Sequence, residues 1–344
     1  MISPNRLKNL KGTKVKQNKI QPNEEILKYY FYFIQERMNV FWRKLNGESN
    51  LTDDPILKKY KFTNVYRACD RTSQYLIREV IYKDISAYSA EDILLRILIF
   101  KIFNKIETWD YLCKILPEPI TIKNFNPHFI SQILSKRQKK FPIFNNAYMM
   151  TGSHQLYNYL SSKHEKWLTM VKKEFIDSST FSKILETSSL EELFNLLREK
   201  SFLGDFLAYQ YSIDFNYSPF INFSENSFVK AGIGAIRGIK KCFKNNGNNF
   251  EDAIMYVQDN FDDLQKKYGY TDFKPIPGHY PTLIDLQNCF CETDKYLREK
   301  KPELVVDNVR IKQKYTPQNK PLCLFFPPKW NVGDKICIQL NFQE

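Results

Sequence analysis

Apolar residues recur along most of this chain at the three- and four-residue intervals of amphipathic helices. Glu24 to Leu45 forms the first such run, and Asn46-Gly47 ends it. Thr52-Asp53-Asp54-Pro55 marks the next helix start, with Pro55 where a missing N–H costs nothing. From Phe62 to Tyr82, the residues Val65, Leu76, Ile77, Val80 and Ile81 fit one long amphipathic helix. Ala90–Phe103, Thr108–Ile115, Asn126–Gln138, Ser153–Ile176 and Leu190–Glu199 continue the series, followed by Asp205–Ile213, Gly234–Phe243, Phe250–Tyr268 and Pro281–Glu299. After Leu304 the character changes: Val305-Val306, Leu322–Phe326 and Ile336–Leu340 read as short strands or extended packing segments. The pattern predicts a mostly all-α protein. Residues 1–22 form a flexible basic arm, 23–300 a helical body of two lobes, and 301–344 an extended or β tail packed on that body.

Composition narrows the function classes. With 43% hydrophobic and 15% aromatic residues the body has ample material for a core, and 11 glycines are too few for a turn-rich sandwich. The formal charge of +13 points to a polyanionic partner, though solubility alone also accounts for it. The basic arm, with Arg6, Lys8, Lys11, Lys14, Lys16 and Lys19, suits phosphate contact or a simple solvated tail equally. Seven cysteines at irregular spacing predict a reducing compartment, and no apolar leader opens the chain. The most apolar stretch, Ile93 to Ile106, is interrupted by Arg96, Lys101 and Lys105 and is too short to span a bilayer. A soluble, cytoplasmic monomer is expected.

No Walker A loop occurs, the Gly232/Gly234/Gly238 spacing misses the dinucleotide fingerprint, and Cys289 and Cys291 face different ways on a helix. Phosphoryl transfer, hydride transfer and a catalytic metal are therefore disfavoured at this stage. What remains is a set of polar groups in apolar helices. On a continuous helix Arg67, Asp70, Arg71 and Gln74 share one face, either an anion and hydrogen-bond platform or an ion-pair network joining helices. Leu203-Gly204 before the Asp205 helix reads as a helical hairpin whose N–H groups suit a DNA phosphate. One turn apart on that helix lie Gln210 and Asp214, the latter among Ile213, Phe215 and Tyr217. Those surroundings desolvate a carboxylate; a buried helix cap is the competing reading. Gly232-Ile233-Gly234 before Arg237, Lys240 and Lys241 is a second hairpin with a basic helix, or else close packing at Gly234 and Gly238. Gln287, Asn288 and Glu292 could read a base edge.

Four stretches in order, Asp54-Pro55-Ile56-Leu57 through Gln74, Phe206-Leu207-Ala208-Tyr209-Gln210 through Ser218, Gly232 to Gly238 and Gln287 to Tyr296, resemble the helical domain linked to 5-hydroxymethyluracil DNA kinases. That family is also described as α-glutamyl/putrescinyl-thymine pyrophosphorylases, and the likeness runs from about Phe31 to Lys329. The resemblance implies kinship with helix-hairpin-helix DNA glycosylases and double-stranded DNA carrying a modified base as the partner. Some relatives modify thymine in phages; others excise bulky bases from phage DNA as a defence. In those glycosylases the catalytic Asp lies farther past the hairpin than Asp214 lies past Gly204.

No kinase domain accompanies these motifs, so the expectation drawn from the resemblance is a monofunctional DNA glycosylase in antiviral defence. It would flip a 5-substituted pyrimidine, with glucosylated hydroxymethylpyrimidine among the candidates, and hydrolyse its N-glycosidic bond without cofactor or metal. Asp214 is the expected catalytic carboxylate, with Asp70 and Glu292 next, and Asn in place of Asp214 is expected to preserve the fold. Tyr66 and Tyr217 would stack on the base. Arg67, Arg71, Gln74, Gln210, Asn216, Gln287 and Asn288 would bind it, and Gly204, Gly232, Gly234, Arg237, Lys240 and Lys241 the phosphates. Two other readings stay open: a transferase placing an amino acid or polyamine on a pyrophosphorylated hydroxymethyluracil, and a non-enzymatic reader of modified DNA.

Overall fold

The computed structural model describes residues 20–145, 150–305, 313–316 and 324–332. Among them the chain is mostly helical, with fourteen α-helices and one two-stranded sheet. It divides into two compact units. The first comprises Met1–Val65, Asn226–Pro275 and Pro281–Gln318; the second Tyr66–Glu225, Ile276–Tyr280 and Asn319–Glu344. No helix among the described residues is long and apolar enough to cross a membrane.

The first unit opens with β1 (Ile20–Pro22) and α1 (Glu24–Leu45). Helix α1 buries Ile26, Leu27, Tyr30, Phe31, Ile34, Met38, Phe41 and Leu45, with Glu24 and Glu25 at its positive end and Arg43 and Lys44 at its negative end. Helix α2 (Pro55–Lys59) starts where the sequence predicts. Asp54 caps it by accepting from the N–H groups of Ile56 and Leu57, and Pro55 takes the first position.

The chain then enters the second unit. Here the long helix expected over 62–82 does not form. Tyr66 and Asp70 are extended (ψ 119° and 142°) around a short 3-10 turn, Arg67–Cys69. Helix α3 (Arg71–Tyr75) follows and continues as a π-helical stretch, Leu76–Tyr82, which buries Leu76, Ile77, Val80 and Ile81. The apolar periodicity thus belongs to the π stretch alone, and the break turns Arg67 inward while Arg71 stays exposed.

Helix α4 (Ala90–Phe103) matches the sequence reading end for end. Its Ser89/Asp92 capping box fixes the start, and it is apolar nearly all round because it lies in the core of the unit. Helices α5 (Ile106–Ile115), α6 (Pro127–Gln138) and α7 (Lys163–Val171) follow. The helix expected from Ser153 begins only at Lys163, where Ser162 caps it, and runs on as a π stretch to Ile176. Helix α8 (Thr180–Leu185) is too short to show a period. Helices α9 (Leu190–Arg198) and α10 (Asp205–Asn216) form the anticipated helical hairpin. The left-handed residue in its turn is Phe202 (φ 68°) and not Gly204 (φ −76°). The Phe202 ring stacks on Trp167 (centroids 4.8 Å apart) and packs on His154 and Tyr157, contacts that hold a conformation a bulky side chain rarely adopts.

The chain returns to the first unit with α11 (Ile233–Cys242), β2 (Phe243–Asn246), α12 (Phe250–Asp259), α13 (Phe261–Tyr268) and α14 (Leu283–Lys300). The single helix expected over Phe250–Tyr268 breaks at Asn260 (φ −115°, ψ 18°). Strand β2 pairs antiparallel with β1, and in the tail Lys314 makes an isolated antiparallel bridge with Tyr60. Of the tail segments expected to be extended, 324–326 carries no regular structure, while Val306, 322–323 and 336–340 lie outside the described residues, as does the basic arm over 1–19.

Candidate functional site

The centre of the second unit holds an ion cluster built from three elements. Arg67, on the 3-10 turn before α3, is 3% exposed and directs its guanidinium at α10 and its C-cap Tyr217. Its Nε donates to Gln210 Oε1 (2.9 Å) and its Nη2 to the Gln210 carbonyl (3.4 Å). Its Nη1 donates to Asp214 Oδ1 (2.8 Å) and to the Tyr217 hydroxyl (3.2 Å), whose ring also lies under the guanidinium. On the other side of Asp214, Lys101 of α4 places its Nζ 3.4 Å from Oδ2 and donates to Asn104 Oδ1.

Asp214 is fully buried. A lone carboxylate there would carry a heavy desolvation cost, which the flanking Arg67 and Lys101 offset. Two buried polar atoms remain without hydrogen-bond partners among the described residues: Gln210 Nε2, a donor, and Asp214 Oδ2, an acceptor that meets Lys101 at ion-pair distance only. Both atoms are shielded from solvent, on positions one helical turn apart.

A ring of neighbours fixes this cluster. Both ends of the Asn216 amide bond the backbone of Phe223, closing the loop after α10. Gln74 donates to the carbonyls of Ala68 and Phe325 and accepts from the Phe325 N–H, pinning the segment 324–327. Tyr66 is buried, donating to the His279 carbonyl and accepting from the Ile276 N–H. His279 stacks on Trp330 (centroids 3.8 Å apart), and burial pushes its imidazole down to about 4. Lys329 Nζ caps the end of α10 by donating to the carbonyls of Asn216, Ser218 and Ile221, and burial lowers its ammonium to about 8. Asp70 sits half-buried at the start of α3 and Arg71 is exposed beside it, so the four-residue face expected on a continuous helix is split.

The remaining candidates belong to the first unit. Glu292 of α14 accepts from the Thr63 N–H and pairs with Lys295. Gln287 is buried with its Oε1 unpartnered among the described residues, and Asn288 is half-buried. Lys241 is committed to buried Asp294, which also holds Arg298, whereas Lys240 is exposed and Arg237 partly so. Gly232 caps α11 without a side-chain bond. Gly234 and Gly238 press α11 onto α14: a Cβ at the first would strike the Cys291 sulfur, and at the second the Phe290 carbonyl oxygen. Gly204, in the second unit, faces open space.

The residue-by-residue reading missed Lys101. Its signal was present, since a lysine inside an otherwise apolar helix has to find a buried counter-charge. Lys329, His279 and Trp330 were missed for a different reason: they lie far from α10 in sequence and in segments with no period.

No solved structure resembles the chain closely enough to register as a match. Among curated proteins it is similar to the 5-hmdU DNA kinase of Bacillus phage SP10, 24% identical over 283 residues, covering 78% of this chain and 44% of that protein. The chain thus spans less than half the length of this relative. Residues 24–306 match the family described as 5-hmdU DNA kinase, helical domain. These findings overturn the glycosylase and antiviral base-excision expectation. The missing Walker A loop showed only one way in which a triphosphate is not held, and a buried Asp beside a helical hairpin does not specify bond hydrolysis. By a match that covers most of its length, the chain belongs to the helical-domain family of the 5-hmdU DNA kinases.

Proposed function

We propose that the chain serves the phosphorylation of 5-hydroxymethyluracil in DNA, as the helical module that binds the modified strand and presents its 5-hydroxymethyl group. In the reaction the hydroxymethyl oxygen bonds to the terminal phosphorus of a nucleoside triphosphate. The bond from that phosphorus to the bridging oxygen breaks, the nucleoside diphosphate leaves, and the hydroxyl proton passes to a base or to water. The observation that carries this reading is the family match over residues 24–306.

The buried cluster supports it on chemical grounds. A hydroxyl both donates and accepts, and the buried cluster holds a donor, Gln210 Nε2, and an acceptor shared with Lys101, Asp214 Oδ2, which the base reaches only if the second unit opens. Thymine's methyl group can satisfy neither. Arg67 and Lys101 hold that carboxylate in place. The formal charge of +13 matches a DNA partner. The experiment is a binding titration with two duplexes that differ only in 5-hydroxymethyluracil against thymine, alongside transfer of labelled phosphate from ATP. Preference of the chain for the hydroxymethylated duplex is expected, and any label transferred is expected to depend on a kinase partner supplied separately; release of free base with no preference would contradict the reading.

A further inference from the structure

A second surface of the second unit, away from the buried cluster in sequence and function, has the make-up of a nucleic-acid track. Between residues 127 and 173 the chain carries eight Lys or Arg and one acidic residue, Glu165, so over half of the net charge of +13 arises in this stretch. The fold gathers that charge. Buried His164, next to Lys163 at the start of α7, contacts Ser135 Oγ (3.0 Å) and the Ser131 carbonyl (3.2 Å) on α6. The basic C-terminal turn of α6 is thereby brought to the N-terminal turn of α7.

Rings alternate with these cations. Arg137 lies over Tyr111 and Phe141, Lys163 over Phe144, and Lys173 over Tyr159. Lys166 holds the loop before α7 through the Gly152 carbonyl. Two of the rings face solvent: Phe141 is 55% and Tyr159 65% exposed, far more than a core role would leave. Large exposed rings fixed beside lysines fit unpaired bases over phosphates. A duplex hides the base faces such rings would stack on.

The geometry points to a single-stranded DNA track along α6 and α7, where Phe141 and Tyr159 stack unpaired bases and Lys163, Lys166 and Lys173 hold the phosphates. It rests on the DNA reading above and extends it. An enzyme acting on a base taken out of the stack has to manage unpaired strand next to the reacting nucleotide.

The test is fluorescence anisotropy of the full chain with an unmodified oligothymidylate of about 16 nucleotides, with an abasic oligomer of equal length, and with a duplex. Phe141→Ala and Tyr159→Ala are each expected to weaken oligothymidylate binding about fivefold or more, with the salt slope and abasic binding unchanged. Lys163→Gln/Lys166→Gln/Lys173→Gln is expected to weaken both single strands and to reduce the salt slope by about 2. Thermal melting of each variant identifies loss of fold, and the two ring variants, at exposed positions, carry the test if the lysine triple fails to fold. If the wild type binds DNA while the ring variants match it, the track is wrong and the DNA reading survives. If the ring variants weaken the duplex and the abasic oligomer as much as oligothymidylate, base stacking is refuted. If the wild type binds no DNA under low salt, the reading beneath it falls as well.

Discussion

Arg67 Nη1 stands 2.8 Å from Asp214 Oδ1, and the two side chains are 4% and 0% exposed. The pair joins the turn before α3 to α10, and Lys101 extends it to α4. Removing the negative charge leaves two cations buried together. Asp214→Asn is therefore expected to destabilise the protein by about 3–5 kcal/mol, even though the amide is isosteric. Urea unfolding measures this; a loss under about 0.5 kcal/mol, typical of surface sites, would show that the cluster is not the buried network described here.

Gly238 and Gly204 predict opposite outcomes from superficially similar changes. Gly238→Ala drives a Cβ into the Phe290 carbonyl of α14, and backbone cannot step aside as a side-chain end can. A loss of about 1–3 kcal/mol is expected, the range for overpacking. Gly204→Ser meets open space and adds a hydroxyl where the cap of α10 has no side-chain bond. It should be neutral or stabilising by about a few tenths of a kcal/mol. Thermal melting of the two variants side by side checks both.

Much of the helical skeleton was legible because period and caps agree. Glu24–Leu45 and Ala90–Phe103 carry an apolar face and charged or capped ends, and both form as read. The failures share a cause. At Tyr66–Asp70 and at Asn260 the backbone breaks inside an unbroken apolar pattern, because local dihedrals and not hydrophobicity set the boundary. The cluster was half legible: Arg67, Gln210, Asp214 and Tyr217 were singled out, though the first on a helical face that does not exist. Of its other half, Lys101 carried a signal as a lysine inside the apolar α4, whereas the 324–332 segment depends on tertiary contacts to the end of α10 that no local pattern encodes.

His279 gives the fold a sensitivity to acid. Its ordinary imidazole titrates near 6.5, but burial pushes it down to about 4, and its Nε2 has no hydrogen-bond partner among the described residues. Between those pH values the unfolded chain takes up a proton that the folded chain refuses. Stability should fall as pH drops from about 6.5 to 4, by on the order of 3 kcal/mol from this residue. His279→Gln should flatten that slope, whatever its effect at pH 7. An unchanged slope across the window would show that His279 protonates freely in the folded state.

Gln210→Glu separates the two amide atoms of Gln210. It keeps an oxygen that accepts from Arg67, removes the Nε2 donor and adds a carboxylate one turn from Asp214, so Gln210→Met is run beside it as the uncharged control. Preference for hydroxymethylated over unmodified DNA should drop by about tenfold, roughly one hydrogen bond to a charged or buried group. Affinity for thymine DNA should change little. Equal losses on both DNAs would assign Gln210 to the framework alone.

The central claim, that this helical module recognises 5-hydroxymethyluracil in DNA, is tested most directly by equilibrium titration of the full chain against two matched duplexes. One carries a single 5-hydroxymethyluracil, the other thymine at the same position, at fixed salt. The account predicts at least about tenfold tighter binding to the hydroxymethylated duplex, the worth of one well-made hydrogen bond to its hydroxyl. Equal affinities for the two would contradict it.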